Sequence, residues 1–258
     1  MIAPKLCKKW LAWPEKQVSM GIHLTGIVIL VGNYGSGKTE VAINLAVMSK
    51  KAGTDVRVAD LDLVNPYFRT RESKGVLADM GIEVVLPPDE YMHADLPILT
   101  PAIAGMIRQP ASLTLLDAGG DDVGATVLAA LANVLDLKEV QMLQVINPFR
   151  PNTDTIEGCL RIRDEIETAS KRKITGIVGN ANLINETTSD IIYQGHDFVN
   201  QAAYASGLDL EFITVPADFI EQIDMTYFSC PILPVARQLV PPWIEPKSFV
   251  NSTQQPGS

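Results

Sequence analysis

The chain has 258 residues, 47% of them hydrophobic, with 21 Lys and Arg against 30 Asp and Glu, a net charge of −9 and a pI near 4.8. That length and apolar content suit one α/β domain with a full core. The acidic balance argues against a dedicated nucleic-acid surface or a basic membrane patch, and no apolar run approaches the ~18–20 residues of a transmembrane helix.

Residues 1–19, with Lys8, Lys9, Trp10, Trp13 and Pro14, have no clear periodicity and read as a loosely held N-terminal extension. Met20-Gly21 is a natural start for a nucleotide-binding domain spanning 20–240. Residues 26–31, GIVILV, form the apolar, β-branched run of a strand covered on both faces. They lead into GNYGSGKT at 32–39, which fits the phosphate-loop pattern G-x-x-x-x-G-K-[ST]. A helix is predicted from 40 to 51, apolar at Val41, Leu45 and Met48, with Gly53 behind it as a cap.

A strand, a glycine-rich turn and a helix N-terminus together make an anion site. Gly32, Gly35 and Gly37 let the backbone wrap phosphate oxygens, and the stretch through Asn33, Tyr34 and Ser36 points successive amides inward. Lys38 is expected to reach the β- and γ-phosphates and the Thr39 hydroxyl to ligate Mg²⁺, with Glu40 counted among the nucleotide-binding residues. Tyr34 would cover the nucleotide or face a partner; nothing local decides.

Further along, 56–59 is a strand ending in Asp60-Leu61-Asp62, whose two acids point the same way. Residues 64–72 are a proline-broken loop entering a helix, where Arg69 and Arg71 would contact phosphate, a partner or an acidic substrate, or simply be solvated. A strand at 82–85 precedes a loop with Pro87, Pro88 and Pro97, and a helix is expected at 102–108. The strand at 113–116 ends in DAGGDD at 117–122. A helix at 126–135 follows, then a strand at 140–146 closed by Asn147-Pro148, and a helix at 153–170. A strand at 174–178 ends at Gly179-Asn180, a helix spans 189–205 with Gly207 after it, and the last strand, 210–215, ends at Pro216-Ala217-Asp218. The tail, 241–258, is rich in Pro, Ser and Gln and is expected to be disordered at its extremity.

Strands alternating with helices predict a three-layer α/β fold, a mostly parallel sheet with helices on both faces. In such sheets ligands bind outside the carboxyl ends of the strands. Every polar cluster named above follows a strand, so they are expected to share one site. There Asp117 would hold Mg²⁺ through water, while the Gly119 or Gly120 amide senses the γ-phosphate. Of Asp60 and Asp62, one would sit in the outer shell of the metal and the other would orient or deprotonate the attacking water. We group Asp60 with Thr39 and Asp117 at the metal, and Asp62 with Lys38 and Asp117 as catalytic. A turn-forming Asp pair is the alternative. Cys7, Cys159 and Cys230 form no C-x-x-C pair, and His23, His93 and His196 have no metal spacing. Reduced thiols in a cytoplasmic protein, without zinc or an iron–sulfur cluster, are therefore expected.

These motifs carry a resemblance, over about residues 26–224, to the MinD/ParA/nitrogenase-iron-protein group of SIMIBI-class P-loop ATPases. GKTEVAINLA at 37–46 resembles that group's G-K-T-x-x-A-x-N-L-A; Asp60-Leu61-Asp62 is similar to its D-x-D switch I, and Asp117-Ala118-Gly119-Gly120 to its switch II. The strand ending at Asn180 looks like the one whose terminal Asn contacts the purine, and Val215-Pro216-Ala217-Asp218 resembles the V-P-x-D loop beside the base. The resemblance implies ATP and Mg²⁺, since the GTP-type N-K-x-D motif is absent. It departs at Asn33, where the group has a lysine that crosses a dimer interface. A homodimer remains open, but that contact does not.

The resulting expectation is a Mg²⁺-dependent ATPase that works as a conformational switch for an unknown protein partner, without nucleic acid and without a stable membrane anchor. Two alternatives stand beside it. One is an ATP-dependent small-molecule kinase or ligase of the cobyrinate-amidation or dethiobiotin-synthetase kind, with residues 83–110 as its substrate region. The other is a non-hydrolysing regulatory module.

Overall fold

A computed structural model describes residues 21–62, 74–86, 101–120, 122–136 and 138–238. The N-terminal extension, the tail, the segment with Arg69 and Arg71, the loop with Pro87, Pro88 and Pro97, and Asp121 lie outside the described residues. Within them the strands are β1 (Gly26–Val31), β2 (Val56–Leu61), β3 (Glu83–Val85), β4 (Leu113–Ala118), β5 (Val140–Ile146), β6 (Gly176–Gly179), β7 (Asp209–Pro216) and β8 (Ile232–Val235). They form one sheet in the order β3-β2-β4-β1-β5-β6-β7-β8, and every neighbouring pair is parallel. The helices are α1 (Lys38–Lys51), α2 (Lys74–Asp79), α3 (Pro101–Arg108), α4 (Asp122–Ala130), α5 (Ala132–Leu135), α6 (Ile156–Ser170) and α7 (Ser189–Ser206).

Strand alternation sorts the core into layers. Val28 and Leu30 of β1, Val56 and Val58 of β2, and Leu113 and Leu115 of β4 pack with Val41, Leu45 and Leu77 of α1 and α2. The intervening residues, Ile27, Ile29, Ala59 and Leu116 among them, face Ile103, Ile107 and Leu128 of α3 and α4. Beyond β5, Ile146 and Ile177 pack on Cys159 of α6 and Val199 of α7. The expected three-layer α/β arrangement is therefore present.

Three local expectations change. β7 is not the last strand, because Ile232–Val235 adds β8 at the sheet edge, paired to β7 alone among the described residues. The helix expected at 153–170 starts at Ile156, since Thr155 is extended and its hydroxyl accepts from the Gly158 amide at 3.1 Å, an N-cap. The helix expected at 126–135 starts earlier, at Asp122, and is divided at Leu131, whose amide is shared between the carbonyls of Val127 and Leu128 at 3.1 Å each.

The chain after β8 is tied back to α1. Asn44, on the second turn of α1, accepts from the Ala236 amide at 2.9 Å and donates to the Ala236 carbonyl at 3.3 Å. Glu40 Oε1 accepts from the Gln238 amide at 2.7 Å and from Asn44 Nδ2 at 3.1 Å. Glu40, expected among the nucleotide-binding residues, thus also anchors the chain after β8 to α1.

Candidate functional site

The loop between β1 and α1 has the backbone that its glycines permit. Gly32, Gly35 and Gly37 lie at φ 145°, 73° and 90°, a region closed to most side chains. Space is equally limiting: a Cβ on Gly32 would sit 2.4 Å from the Val145 carbonyl oxygen, and one on Gly37 2.2 Å from Asn180 Nδ2. The Ser36 amide donates to the Asn33 carbonyl at 3.2 Å and the Val41 amide to the Gly37 carbonyl at 3.0 Å, which closes the turn and starts α1. Lys38 is buried over this turn, its ammonium donating to the carbonyls of Gly32 and Asn33 at 3.2 and 3.1 Å.

β4 runs directly beside β1, and β2 beside β4, with Asp60 opposite Asp117. Both carboxylates are buried, and alternation puts them on the sheet face that α1, which begins at Lys38-Thr39, packs against. Asp60 Oδ1 accepts from the Asp62 amide at 3.0 Å, which closes the turn after β2 and leaves Asp62 buried as well. Each acid keeps other partners, yet Asp60 Oδ2 and Asp117 Oδ1 are buried and accept no hydrogen bond. Two acids that each keep one buried oxygen without a donor, on β4 next to the strand that leads into the anion loop and on β2 beyond it, fit a hard divalent cation such as Mg²⁺, which takes one or two carboxylates and otherwise phosphate and water. Among the described residues no three or more His, Cys, Asp or Glu gather as an all-protein metal cage.

Gly120, two residues past β4, meets the loop directly. A Cβ there would lie 2.7 Å from Lys38 Nζ and 2.9 and 3.0 Å from the Tyr34 amide nitrogen and Cα. The two segments expected to act together are thus in contact. Tyr34 itself is 66% exposed.

Asn180, after β6, is buried against the loop from the other side. Its Nδ2 donates to the Ser36 carbonyl at 2.6 Å and its Oδ1 accepts from Thr214 Oγ1 at 2.5 Å. The carboxamide therefore braces the phosphate loop, with one amide hydrogen left over. Pro216, Ala217 and Asp218 stand a strand further out, at the end of β7 and in the 3-10 turn after it. Asn180→Ala should leave the Ser36 carbonyl and Thr214 hydroxyl buried without partners, at about 1–3 kcal/mol. In nucleotide-free thermal melts that corresponds to a fall of several degrees.

Reading the chain locally left out two features. Asn33 Nδ2 donates to the Pro151 carbonyl at 2.7 Å, joining the phosphate loop to the loop after β5, and Arg150 of that loop lies against Gly35. Their only local signal was a polar, proline-flanked run at a strand end. The thiols of Cys159 and Cys230 are free and away from the site. Burial pushes each up to about 12, with Asp154 adding to the effect on Cys159, so both stay protonated.

No protein-family model matches the chain, and no curated protein matches it. Solved structures do. The cell division protein FtsY from Thermotoga maritima superposes with a TM-score of 0.54 at 19% identity, over 80% of this chain and 67% of that one. The chain has the α/β P-loop NTPase fold. Chloroplast FtsY from Physcomitrella patens aligns at a TM-score of 0.50 and 17% identity, over 76% of this chain and 60% of that one. FlhF complexed with GTP and Mg²⁺ gives 0.49 and 16%, over 78% and 69%. The chain thus spans about two thirds of the length of these neighbours. No described helix is long and apolar enough to cross a membrane.

Proposed function

We propose that the chain is a Mg²⁺-dependent ATPase of the MinD/ParA kind, working in the cytoplasm as a nucleotide-driven switch for a protein partner or a second copy of itself. The contact of Gly120 with Lys38 and Tyr34 carries this reading, because whatever occupies the loop must act on the segment after β4. The loop amides and Lys38 bind and orient the phosphates, and Thr39, Asp117 and Asp60 would hold Mg²⁺. Mg²⁺, when bound, supplies neutralisation of phosphate charge. Asp62 would orient water, and the Gly120 amide would report the terminal phosphate.

For the base, Asn180 offers a single remaining donor, which serves adenine and guanine acceptors alike. ATP is preferred because Asn180 is followed by Ala181-Asn182-Leu183 and not by the rest of an N-K-x-D motif. Phosphate release by the purified chain from Mg-ATP and from Mg-GTP, run side by side, tests the proposal. Slow release, below about 10 s⁻¹ and faster with ATP, is expected of a switch without its partner. Faster release from GTP would reverse the base assignment. Neither binding nor release with either nucleotide would end the ATPase reading.

A further inference from the structure

We propose that Arg150, in the loop after β5, is a phosphate-binding residue of this site and completes the charge that the phosphate loop presents. The inference rests on the nucleotide-binding reading above and adds to it a residue from a separate strand.

Topology brings Arg150 to the site. β1 and β5 are neighbours, but the helices that follow them lie on opposite faces and lead in opposite directions, α1 toward β2 and α6 toward β6. That is the switch point of an open α/β sheet, and its crevice is bounded by the loops after these two strands. One is the phosphate loop. The other is the stretch from Asn147 to Thr153.

Geometry places the guanidinium on the loop. A Cβ on Gly35 would fall 3.8 Å from both Arg150 Cδ and Nε, so the arginine stem lies along backbone where a side chain is missing. The Asn33–Pro151 hydrogen bond at 2.7 Å holds the two loops together at the same point.

Chemistry leaves the guanidinium in need of an anion. Arg150 Nε is buried and donates to nothing. Among the described residues its guanidinium makes no ion pair, although Arg57, Arg161, Arg163 and Arg172 all do. Arginine stays charged at any relevant pH, and a buried charged donor without an acceptor is costly. In a chain of net charge −9, a half-buried arginine left without a carboxylate and set against an anion-binding loop is matched by phosphate oxygens, which take its planar fork in two hydrogen bonds.

The loop is also built to hold still. Thr153 Oγ1 donates to the Asn147 carbonyl at 2.7 Å, the Thr153 amide donates to the Arg150 carbonyl at 3.2 Å, and Asn147 Nδ2 donates to the Asn182 carbonyl at 2.9 Å. The backbone that carries Arg150 is thus fixed before any phosphate arrives.

The test is calorimetric titration of Mg-ATP, Mg-ADP and inorganic triphosphate into the full chain and into Arg150→Gln, Arg150→Lys and Lys38→Ala, with nucleotide-free melts of each. Arg150→Gln is expected to weaken Mg-ATP and triphosphate together, by about 10–100-fold, with an unchanged melting temperature. Arg150→Lys, which keeps the charge but not the fork, should lose less. Arg150→Gln binding within about twofold of the parent, while Lys38→Ala has lost binding, overturns the role of Arg150 and leaves the nucleotide reading intact. A parent chain that binds none of the three ligands overturns both. Should Arg150→Gln melt far below the parent, Arg150→Lys decides: at unchanged melting, a loss of about threefold or more supports the proposal and no loss overturns it.

Discussion

Replacing Lys38 with alanine is expected to reduce phosphate release from Mg-ATP by at least about 100-fold, to the level of buffer. Phosphoryl transfer asks the protein chiefly for position and positive charge, and one preorganised donor is worth on the order of 10²–10³ in turnover. Lys38 is the loop's own cation, buried and held against the Gly32 and Asn33 carbonyls by hydrogen bonds of 3.2 and 3.1 Å. In that position the ammonium stands inside the turn that would receive phosphate. The turn itself rests on glycine geometry and on Asn180, so the variant should keep its fold, which a nucleotide-free melt checks. Colorimetric phosphate assays on matched preparations give the answer. Turnover equal to that of the parent would mean that hydrolysis arises somewhere other than this loop.

The loop was legible in the sequence because every determinant of its shape is local. A β-branched run, three closely spaced glycines and a helical pattern from 40 onward lie close together in the chain, and α1 begins only two residues before the expected start, at Lys38. The acids at Asp60 and Asp117 were legible for the same reason, each closing an apolar strand. β8 was not. Ile232–Val235 contains Pro234 and follows Pro231, and proline argues against a strand wherever both edges must be paired. At the sheet edge, paired only to β7 among the described residues, the missing amide hydrogen faces outward and costs nothing.

Arg150 was missed for a deeper reason. Nothing in the periodicity of β1 or β5 says that the two strands are neighbours, and strand order decides which loops share a crevice. Asn180 illustrates the same limit: its place after a strand could be read, but not that its carboxamide would be spent on the Ser36 carbonyl and Thr214 hydroxyl. Asn44 and Glu40 belong to the run GKTEVAINLA, yet what they hold is a segment almost two hundred residues further along the chain.

Gly120→Ala is expected to separate binding from hydrolysis. The added methyl carbon would fall 2.7 Å from Lys38 Nζ and 2.9 and 3.0 Å from the Tyr34 amide nitrogen and Cα. The lysine is the flexible end of a long side chain and can yield. The Tyr34 backbone cannot, because Asn33 on one side is tied to Pro151 and Ser36 on the other to Asn180. The segment after β4 must therefore withdraw, taking the Gly120 amide out of reach of a terminal phosphate while leaving the loop amides and Lys38 in place. Mg-ADP affinity by titration should stay within about threefold of the parent, whereas phosphate release should fall by about 100-fold, the loss typical of one missing donor. Equal losses in both would show that Gly120 serves only to let the two segments pack. Unchanged turnover would place the phosphate sensor elsewhere and remove the contact on which the switch reading stands.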